Sequence, residues 1–116
     1  DGSFDVVSAC DVIEHVPDRD AVAAAIAAML RPGGYLLMVV PVYDGLCGPL
    51  IRKMDRDPTH VHKVARGDWL AWLSRHFELM EWSGVVRYLL PGRWYLHVAT
   101  RLGRNHTPAI LVVARR

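Results

Sequence analysis

Two short segments of the chain bring together side chains that can exchange protons or bind metal ions. The first carries Asp11, Glu14 and His15 within five residues. His15 can act as a general base because the unperturbed pKa of histidine lies near neutrality. The same three side chains also supply oxygen and nitrogen ligands for a divalent metal. A structural role, in which Glu14 and His15 bond the backbone of their own loop, is the third alternative that the sequence leaves open.

The second segment is Asp57-Pro58-Thr59-His60-Val61-His62. We predict His60 as a general base toward a hydroxyl or carboxylate group. In an extended segment, His60 and His62 lie on the same side, which suits a metal pair only where a third ligand is close. The plain alternative is that His60 bonds and orders its own loop. We assign no residue to a metal site.

The elements that position these segments begin with a strand–helix–strand unit. Residues 4–9 and 35–40 are apolar runs typical of buried strands. Between them, residues 21–30 have helical spacing, with Asp18 as the N-cap and Pro32-Gly33-Gly34 at the end. Two strands joined in this way are expected to be parallel.

The second half of the chain is less regular. Residues 42–66 are interrupted by glycine and proline, which predicts a long loop, and loops of that length in a compact domain are usually functional. A helix is predicted from Gly67-Asp68 to about residue 76, with Trp69 and Trp72 in the core. Strands are predicted at 78–86 and 109–114, and a short helix at 94–101.

Composition excludes several classes of protein. The 116 residues are 52% hydrophobic and 22% charged, with a net charge of +2, as in one folded domain rather than a disordered tail. No apolar run approaches the roughly 18 residues of a membrane span. Two cysteines are too few for a disulfide scaffold and favour a cytoplasmic location. The six arginines beyond residue 84 are dispersed among apolar residues, which argues against nucleic-acid binding.

Three motifs in order resemble a known family. FDVV at residues 4–7, DVIEHVPD at 11–18 and LRPGG at 30–34 are similar to the second half of class I S-adenosylmethionine-dependent methyltransferases, above all the ubiquinone-biosynthesis O-methyltransferases. The resemblance implies an α/β, three-layer Rossmann-like fold with a mostly parallel sheet. Its predicted strand order is first, second, fourth, third, with the last strand antiparallel. It further implies S-adenosylmethionine as the cofactor and a small-molecule methyl acceptor.

The first strand and its following loop are predicted to border the cofactor. Ligands of open α/β sheets lie beyond the carboxyl ends of the strands, which here means Ala9, Cys10 and Asp11. The resemblance adds that these positions line the methionine end of the cofactor. It also suggests that Asp11, Glu14 and His15 hold a divalent ion that orients a catechol, although the family carries a longer glutamate at the position of Asp11.

Contacts with the methyl acceptor are predicted near the carboxyl ends of the strands. Glu14 and Tyr43 are expected to contact the acceptor, and Trp94 to line an aromatic pocket for it. For methyl transfer, His15 or His60 would remove the proton of the acceptor.

The family's Gly-rich cofactor loop and ribose-binding acidic residue do not occur in the chain. Gly33-Gly34 cannot replace that loop because it follows a helix and precedes a strand. We therefore expect residues 1–116 to be the C-terminal part of a single methyltransferase domain, inactive by itself. An unpaired edge along residues 4–9 predicts a homodimer. The alternative function is a non-catalytic, methyltransferase-like interaction or dimerisation module.

Overall fold

One twisted sheet carries the described part of the chain. The computed structural model describes the backbone of residues 2–90 and 94–116, and the side chains of the same residues apart from 88–90 and 94–96. The strands are β1 (Phe4–Cys10), β2 (Leu30–Pro41), β3 (Glu78–Leu90), β4 (Trp94–Thr100) and β5 (Ala109–Arg115), in the spatial order β1-β2-β5-β3-β4. The helices are α1 (Arg19–Met29), α2 (Gly48–Met54) and α3 (Arg66–Leu73), with a 3₁₀ turn at Ile13–His15.

The predicted strand–helix–strand unit is present, and its two strands are parallel. β2 begins at Leu30 rather than at residue 35, because fully buried Leu30 already pairs with Phe4. The register then shifts before Val6 pairs with Tyr35. Gly33, inside that irregular stretch, has φ of 78°, a conformation that side chains with a Cβ disfavour. The glycines of the LRPGG motif therefore sit in an irregular stretch of the strand rather than in a turn before it.

The prediction of a mostly parallel sheet is wrong. β1 and β2 form its one parallel pair among the described residues, whereas β5 is antiparallel to both β2 and β3, and β3 is antiparallel to β4. The order predicted for the four predicted strands, which are β1, β2, β3 and β5, is confirmed, and so is the antiparallel direction of the last strand, β5. The predicted helix at 94–101 is wrong: β4 occupies that segment and pairs with β3 along its length, and its aromatic and β-branched residues favour a strand.

The long segment after β2 is more ordered than predicted. It contains α2, whose Pro49 lies in the first turn, where the missing N–H leaves no helical hydrogen bond unmade. α3 starts at Arg66, and the Asp68 carboxylate accepts from Ala65 N at 3.2 Å. Among the described residues, no helix is both long and apolar enough to cross a bilayer.

The core lies between the sheet and helices α1 and α3. Trp69 and Trp72 are fully buried, as predicted, and both satisfy their indole N–H groups. Trp69 Nε1 donates to the carbonyl of Pro41 at 3.2 Å, and Trp72 Nε1 donates to Asp20 at 2.7 Å. Because Trp69 donates to Pro41, the last residue of β2, this packing fixes the strand end from which residues 42–66 continue.

Asp18→Ala is expected to lower the free energy of unfolding by about 1 kcal/mol. The Asp18 carboxylate accepts from Ala21 N at 3.0 Å, which satisfies one free N–H of the first turn of α1. Urea denaturation measures the loss. Asp5→Ala is the matched control, because Asp5 pairs with Arg31 only at the exposed surface. Equal losses in the two variants would contradict the cap assignment.

Candidate functional site

The site forms where β1 and β2 end. Asp11 follows β1 and its N–H donates to Val39 O at 2.9 Å, which holds the chain against β2. Asp11 has φ of 53°, so the backbone turns sharply there. The 3₁₀ turn that follows places Glu14 and His15 over the core, with Glu14 only 1% exposed.

The segment around residue 60 returns to the same place. The backbone carbonyl of Glu14 accepts hydrogen bonds from Val61 N at 3.0 Å and His62 N at 3.3 Å. This double contact brings the imidazole of His60 beside that of His15, with ring centroids 4.6 Å apart. The two predicted base residues, 45 positions apart in sequence, therefore belong to one site.

A carboxylate fixes the orientation of His60. His60 Nδ1 lies 2.7 Å from Asp55 Oδ2, and the hydroxyl of Tyr43 donates to the same oxygen. Burial would raise the pKa of Asp55, but the hydrogen bonds from His60 and Tyr43 outweigh it and hold that pKa well below its usual range. Because an ionised carboxylate can only accept, His60 Nδ1 carries the proton and Nε2 presents a lone pair.

Tyr43 stays a neutral hydrogen-bond donor in this network. Burial, followed by the hydrogen bond to Asp55, raises the pKa of the Tyr43 hydroxyl above its usual range. The ring is buried, and its hydroxyl also lies 3.2 Å from His60 Nδ1. Tyr43 therefore helps to hold the Asp55–His60 pair in place.

His15 is oriented in the same way by a different partner. Its Nδ1 lies 3.2 Å from Thr59 O and 2.9 Å from Thr59 Oγ1, while the Thr59 hydroxyl donates to Asp57 at 2.6 Å. A carbonyl can only accept, so His15 Nδ1 carries the proton. Nε2 of His15 then presents a lone pair, as Nε2 of His60 does.

Glu14 is a buried carboxylate that lacks a hydrogen bond. Neither of its carboxylate oxygens has a hydrogen-bond partner among the described residues. His15 Nε2 lies 3.8 Å from Glu14 Oε1, beyond hydrogen-bond distance. Burial, the largest effect, raises the pKa of Glu14. An unpaired buried carboxylate is costly, which points to a proton or a cation that the arrangement can accept.

Three side chains converge in the site and can bind one metal ion: Glu14, His15 and His60. One ligand atom of each lies within 4.8 Å of the others. Two imidazoles and one carboxylate suit iron, manganese, cobalt or zinc, and each imidazole already has a hydrogen-bonded partner behind it, as metal-bound histidines do. The same groups can instead take a proton from a ligand.

The structure separates two sets that the sequence had grouped. Asp11 accepts a hydrogen bond from Arg87 Nη2, so its carboxylate is engaged away from the converging ligand atoms of Glu14 and His15. His62 Nε2 donates to Val16 O at 2.8 Å, so His62 does not form a metal pair with His60. The group of metal-ligating side chains that converges among the described residues is Glu14, His15 and His60, and it includes neither Asp11 nor His62.

The other predicted residues lie as follows. Ala9 is buried and Cys10 exposed at the end of β1, next to Asp11. The side chain of Trp94 lies outside the described residues. Sequence analysis missed Asp55 and Thr59 as partners of the two histidines. Asp55 lies five residues before His60, a spacing that a search for carboxylate–imidazole pairs would find, but the neighbouring charges of residues 52–57 obscured it.

Glu14→Gln is expected to stabilise the protein at neutral pH, in metal-free buffer, by about 1–3 kcal/mol. Because burial raises the folded-state pKa of Glu14, its ionised form destabilises the folded state above the unfolded pKa of 4.5, and the gain from Gln disappears as the pH falls toward that value. Urea denaturation between pH 4 and pH 8 measures this. Glu78→Gln, at the surface beside Arg115, is the control and should change stability little. A pH-independent effect of Glu14→Gln would contradict the burial argument.

The chain resembles known proteins across most of its length. A family model described as a methyltransferase domain matches residues 1–91. A ubiquinone biosynthesis O-methyltransferase of Xanthomonas campestris pv. campestris (strain B100) is 49% identical over 95 residues, covering 73% of this chain and 40% of the relative. The chain thus spans about 40% of the length of that relative.

Solved structures show the same fold at low identity. A Thermotoga maritima methyltransferase, described as S-adenosylmethionine-dependent and a possible histamine N-methyltransferase, superposes with a TM-score of 0.72 at 15% identity, covering 99% of this chain and 57% of its own. A putative methyltransferase of Bacillus halodurans gives a TM-score of 0.66 at 18% identity, covering 99% and 65% respectively. These matches support the Rossmann-like fold. The antiparallel pairing of β5 with β2 and β3, and of β3 with β4, is part of the fold as the structure shows it.

Proposed function

The chain belongs to the methyltransferase-domain family, and from that premise we propose that it serves S-adenosylmethionine-dependent methyl transfer to an oxygen of a small-molecule acceptor. The Xanthomonas relative, named for ubiquinone biosynthesis, supports an oxygen as the methylated atom. Because the chain spans about 40% of that relative, the activity is proposed for the complete domain to which the segment corresponds.

Ala9, Cys10 and Asp11 are proposed to border the cofactor. They form the carboxyl end of β1, the edge where open α/β sheets bind ligands. Ala9 is small, so the backbone there lets a ligand approach closely. Arg87 forms an ion pair with Asp11, which fixes the Asp11 carboxylate beside the proposed cofactor edge.

The chemistry needs one proton acceptor next to the acceptor oxygen. In methyl transfer the oxygen attacks the methyl carbon, the carbon–sulfur bond breaks and the electron pair stays on sulfur, while the hydroxyl proton leaves for a base. We assign that base to His60, with His15 beside it as the second candidate. The observation that carries the assignment is the hydrogen bond from His60 Nδ1 to Asp55, which fixes the ring so that Nε2 can take the proton; the Asp57 carboxylate, 3.7 Å from Nε2, favours the charged imidazole that results.

Acceptor contacts are proposed for Glu14, Tyr43 and Trp94. The ligand atoms of Glu14 and His60 lie within 4.8 Å of each other, which supports a place for Glu14 next to the reacting oxygen. The Tyr43 hydroxyl lies at His60 Nδ1, the nitrogen opposite Nε2, so its contact with the acceptor is proposed from sequence. Trp94 is proposed from sequence alone.

A divalent metal is the second candidate, favoured by the unpaired carboxylate of Glu14. Glu14, His15 and His60 fit such an ion, whereas Asp11, which Arg87 engages, does not. A bound ion would supply positive charge that orients a catechol and lowers the pKa of its hydroxyl.

If Glu14, His15 and His60 hold a divalent metal, Mn²⁺ binds the chain and Glu14→Gln weakens that binding at least 10-fold, because a carboxylate ligand is lost. Electron paramagnetic resonance of free Mn²⁺ measures both. Asp11→Asn is the control and should bind as the wild type does. A loss in Asp11→Asn equal to that in Glu14→Gln would contradict the Glu14–His15–His60 set, and no binding by the wild type would leave general-base catalysis as the proposal.

The function itself is tested in a chimera in which this chain replaces the matching segment of the Xanthomonas campestris relative. The expected result is binding of S-adenosylhomocysteine by calorimetry and methylation of 3,4-dihydroxybenzoate. A folded chimera that does neither would contradict the enzyme and favour the non-catalytic module. That module predicts dimers through the exposed edge of β1, where Phe4 and Val6 are half exposed, and sedimentation of the 116-residue chain measures them.

A further inference from the structure

Lys63 contacts Asp55, the residue that orients the proposed base. Its Nζ donates to the backbone carbonyl of Asp55 at 3.0 Å and lies 3.5 Å from Asp55 Oδ2, the oxygen that also contacts His60 Nδ1. We propose that Lys63 is a positioning residue that holds the Asp55 carboxylate in place and, through it, the imidazole of His60. This inference rests on the proposed function and adds a residue to the group that orients its base.

The Asp55 carboxylate is a negative charge that is mostly shielded from water. Its side chain is 12% exposed, and it remains ionised. The hydrogen bonds that it accepts from Tyr43 and from neutral His60 bring no positive charge. Among the described residues, Lys63 is the lysine or arginine whose nitrogen lies within 4 Å of this carboxylate. Shielded charges interact more strongly than charges at the surface, so the pair with Lys63 opposes displacement of the carboxylate.

Lys63 is itself held in position. Its side chain is 25% exposed, and its backbone carbonyl accepts from Arg52 Nη2 at 3.0 Å. Asp55 N donates to Ile51 O at 2.8 Å, at the end of α2. Both members of the ion pair are therefore attached to the same helix, which sets where the ammonium group meets the carboxylate.

The two contacts of Lys63 use different parts of Asp55, so their effects can be separated. The hydrogen bond to the backbone carbonyl closes the segment 55–63, which is a structural role. The ion pair with the side chain is the positioning role that we propose. Asp55→Asn removes the negative charge and keeps the backbone carbonyl. An effect of Lys63 that acts through the carboxylate should therefore be lost in Asp55→Asn, whereas an effect of closing the segment should remain.

Lys63→Met is expected to lower kcat for methylation of 3,4-dihydroxybenzoate by the chimera about 10-fold, with KM changed less than about 2-fold, because the base is misplaced while the binding contacts remain. In the Asp55→Asn background, the same substitution should lower kcat by less than about 2-fold further. Lys53→Met is the matched control, because Lys53 is exposed on α2, and it should keep the wild-type kcat. Lys63→Gln replaces Lys63→Met should the latter fail to fold.

The 116-residue chain gives a second readout that needs no methyl transfer. The proton on His60 Nδ1, which Asp55 holds, should exchange slowly enough with water to give a nuclear magnetic resonance signal. We expect Lys63→Met to accelerate this exchange about 10-fold, and Lys53→Met to leave it unchanged. Amide exchange at Val61 measures loosening of the segment, and it should rise by less than the exchange at His60 Nδ1.

The proposal is overturned if Lys63→Met keeps the wild-type kcat, if it lowers kcat equally in the wild-type and Asp55→Asn backgrounds, or if exchange at His60 Nδ1 rises no more than exchange at Val61. An active chimera with any of these results contradicts the role of Lys63 alone. A folded chimera without activity contradicts the methyltransferase, and the exchange at His60 Nδ1 then decides whether Lys63 positions the imidazole.

Discussion

His60→Ala is expected to lower methyl transfer to 3,4-dihydroxybenzoate by about 100- to 10,000-fold in the chimera, the range lost when a general base is removed. The imidazole of His60 is held in place by the ionised carboxylate of Asp55, so the lone pair on its Nε2 has a fixed direction. Without it, the remaining lone pair is that of His15, whose Nδ1 is held by Thr59 rather than by a carboxylate. The initial rate at saturating S-adenosylmethionine measures the effect, and binding of S-adenosylhomocysteine should stay unchanged.

His76→Ala is the matched control for this prediction. His76 also contacts a carboxylate, with Nε2 3.0 Å from Asp20, but it lies on the surface after α3 and outside the site. Added imidazole should restore part of the activity of His60→Ala, which a merely structural loss would not allow. If His60→Ala keeps more than about a tenth of the rate, His60 is not the base, and His15 takes that role.

Arg66→Ala is expected to lower the free energy of unfolding by about 3–5 kcal/mol, the cost of removing one partner from a buried ion pair. Arg66 is 7% exposed at the start of α3. Its Nε lies 2.9 Å from Asp44 Oδ2, and Nη2 donates to Thr107 O at 3.1 Å. Nη1 also donates to the carbonyl of Arg104. Its loss therefore leaves the Asp44 carboxylate and the Thr107 carbonyl without this donor, while the Arg104 carbonyl keeps the hydrogen bond from the Thr107 hydroxyl.

Urea denaturation of Arg66→Ala measures this loss. Arg31→Ala is the control, because the Arg31–Asp5 pair is exposed and should contribute less than about 1 kcal/mol. In the double variant Asp44→Ala, Arg66→Ala, the loss should be smaller than the sum of the single losses, since both members of one pair are removed. Additive losses, or equal losses in Arg66→Ala and Arg31→Ala, would contradict the role of Arg66.

Local patterns predicted the parts of the fold that local physics determines. β1, α1 and β5 are apolar runs or helical repeats bounded by capping and turn residues, and they occur where expected, whereas β2 begins at Leu30, five residues earlier than predicted. β4 was missed because its residues pack against β3, a partner that no local pattern specifies. α2 was missed because glycine and proline mark loops as often as first turns.

The site was predicted residue by residue but not as a group. Glu14, His15, Tyr43 and His60 were each singled out, yet the sequence grouped His15 with Asp11 and His60 with His62. The groups that form depend on contacts between distant parts of the chain, such as His15 with Thr59, 44 residues apart. The sequence also could not predict that the Glu14 carboxylate lacks a hydrogen bond, because this depends on how the surrounding residues bury it.

The two hydrogen bonds that Glu14 O accepts from residues 61 and 62 have a kinetic consequence. They are the described backbone link between the turn carrying Glu14 and His15 and the segment carrying His60. Breaking them would separate His15 from His60 while the described strands stay paired. Amide hydrogen exchange at Val61 should thus be faster than in β2, and its rate should report how often the two imidazoles come apart.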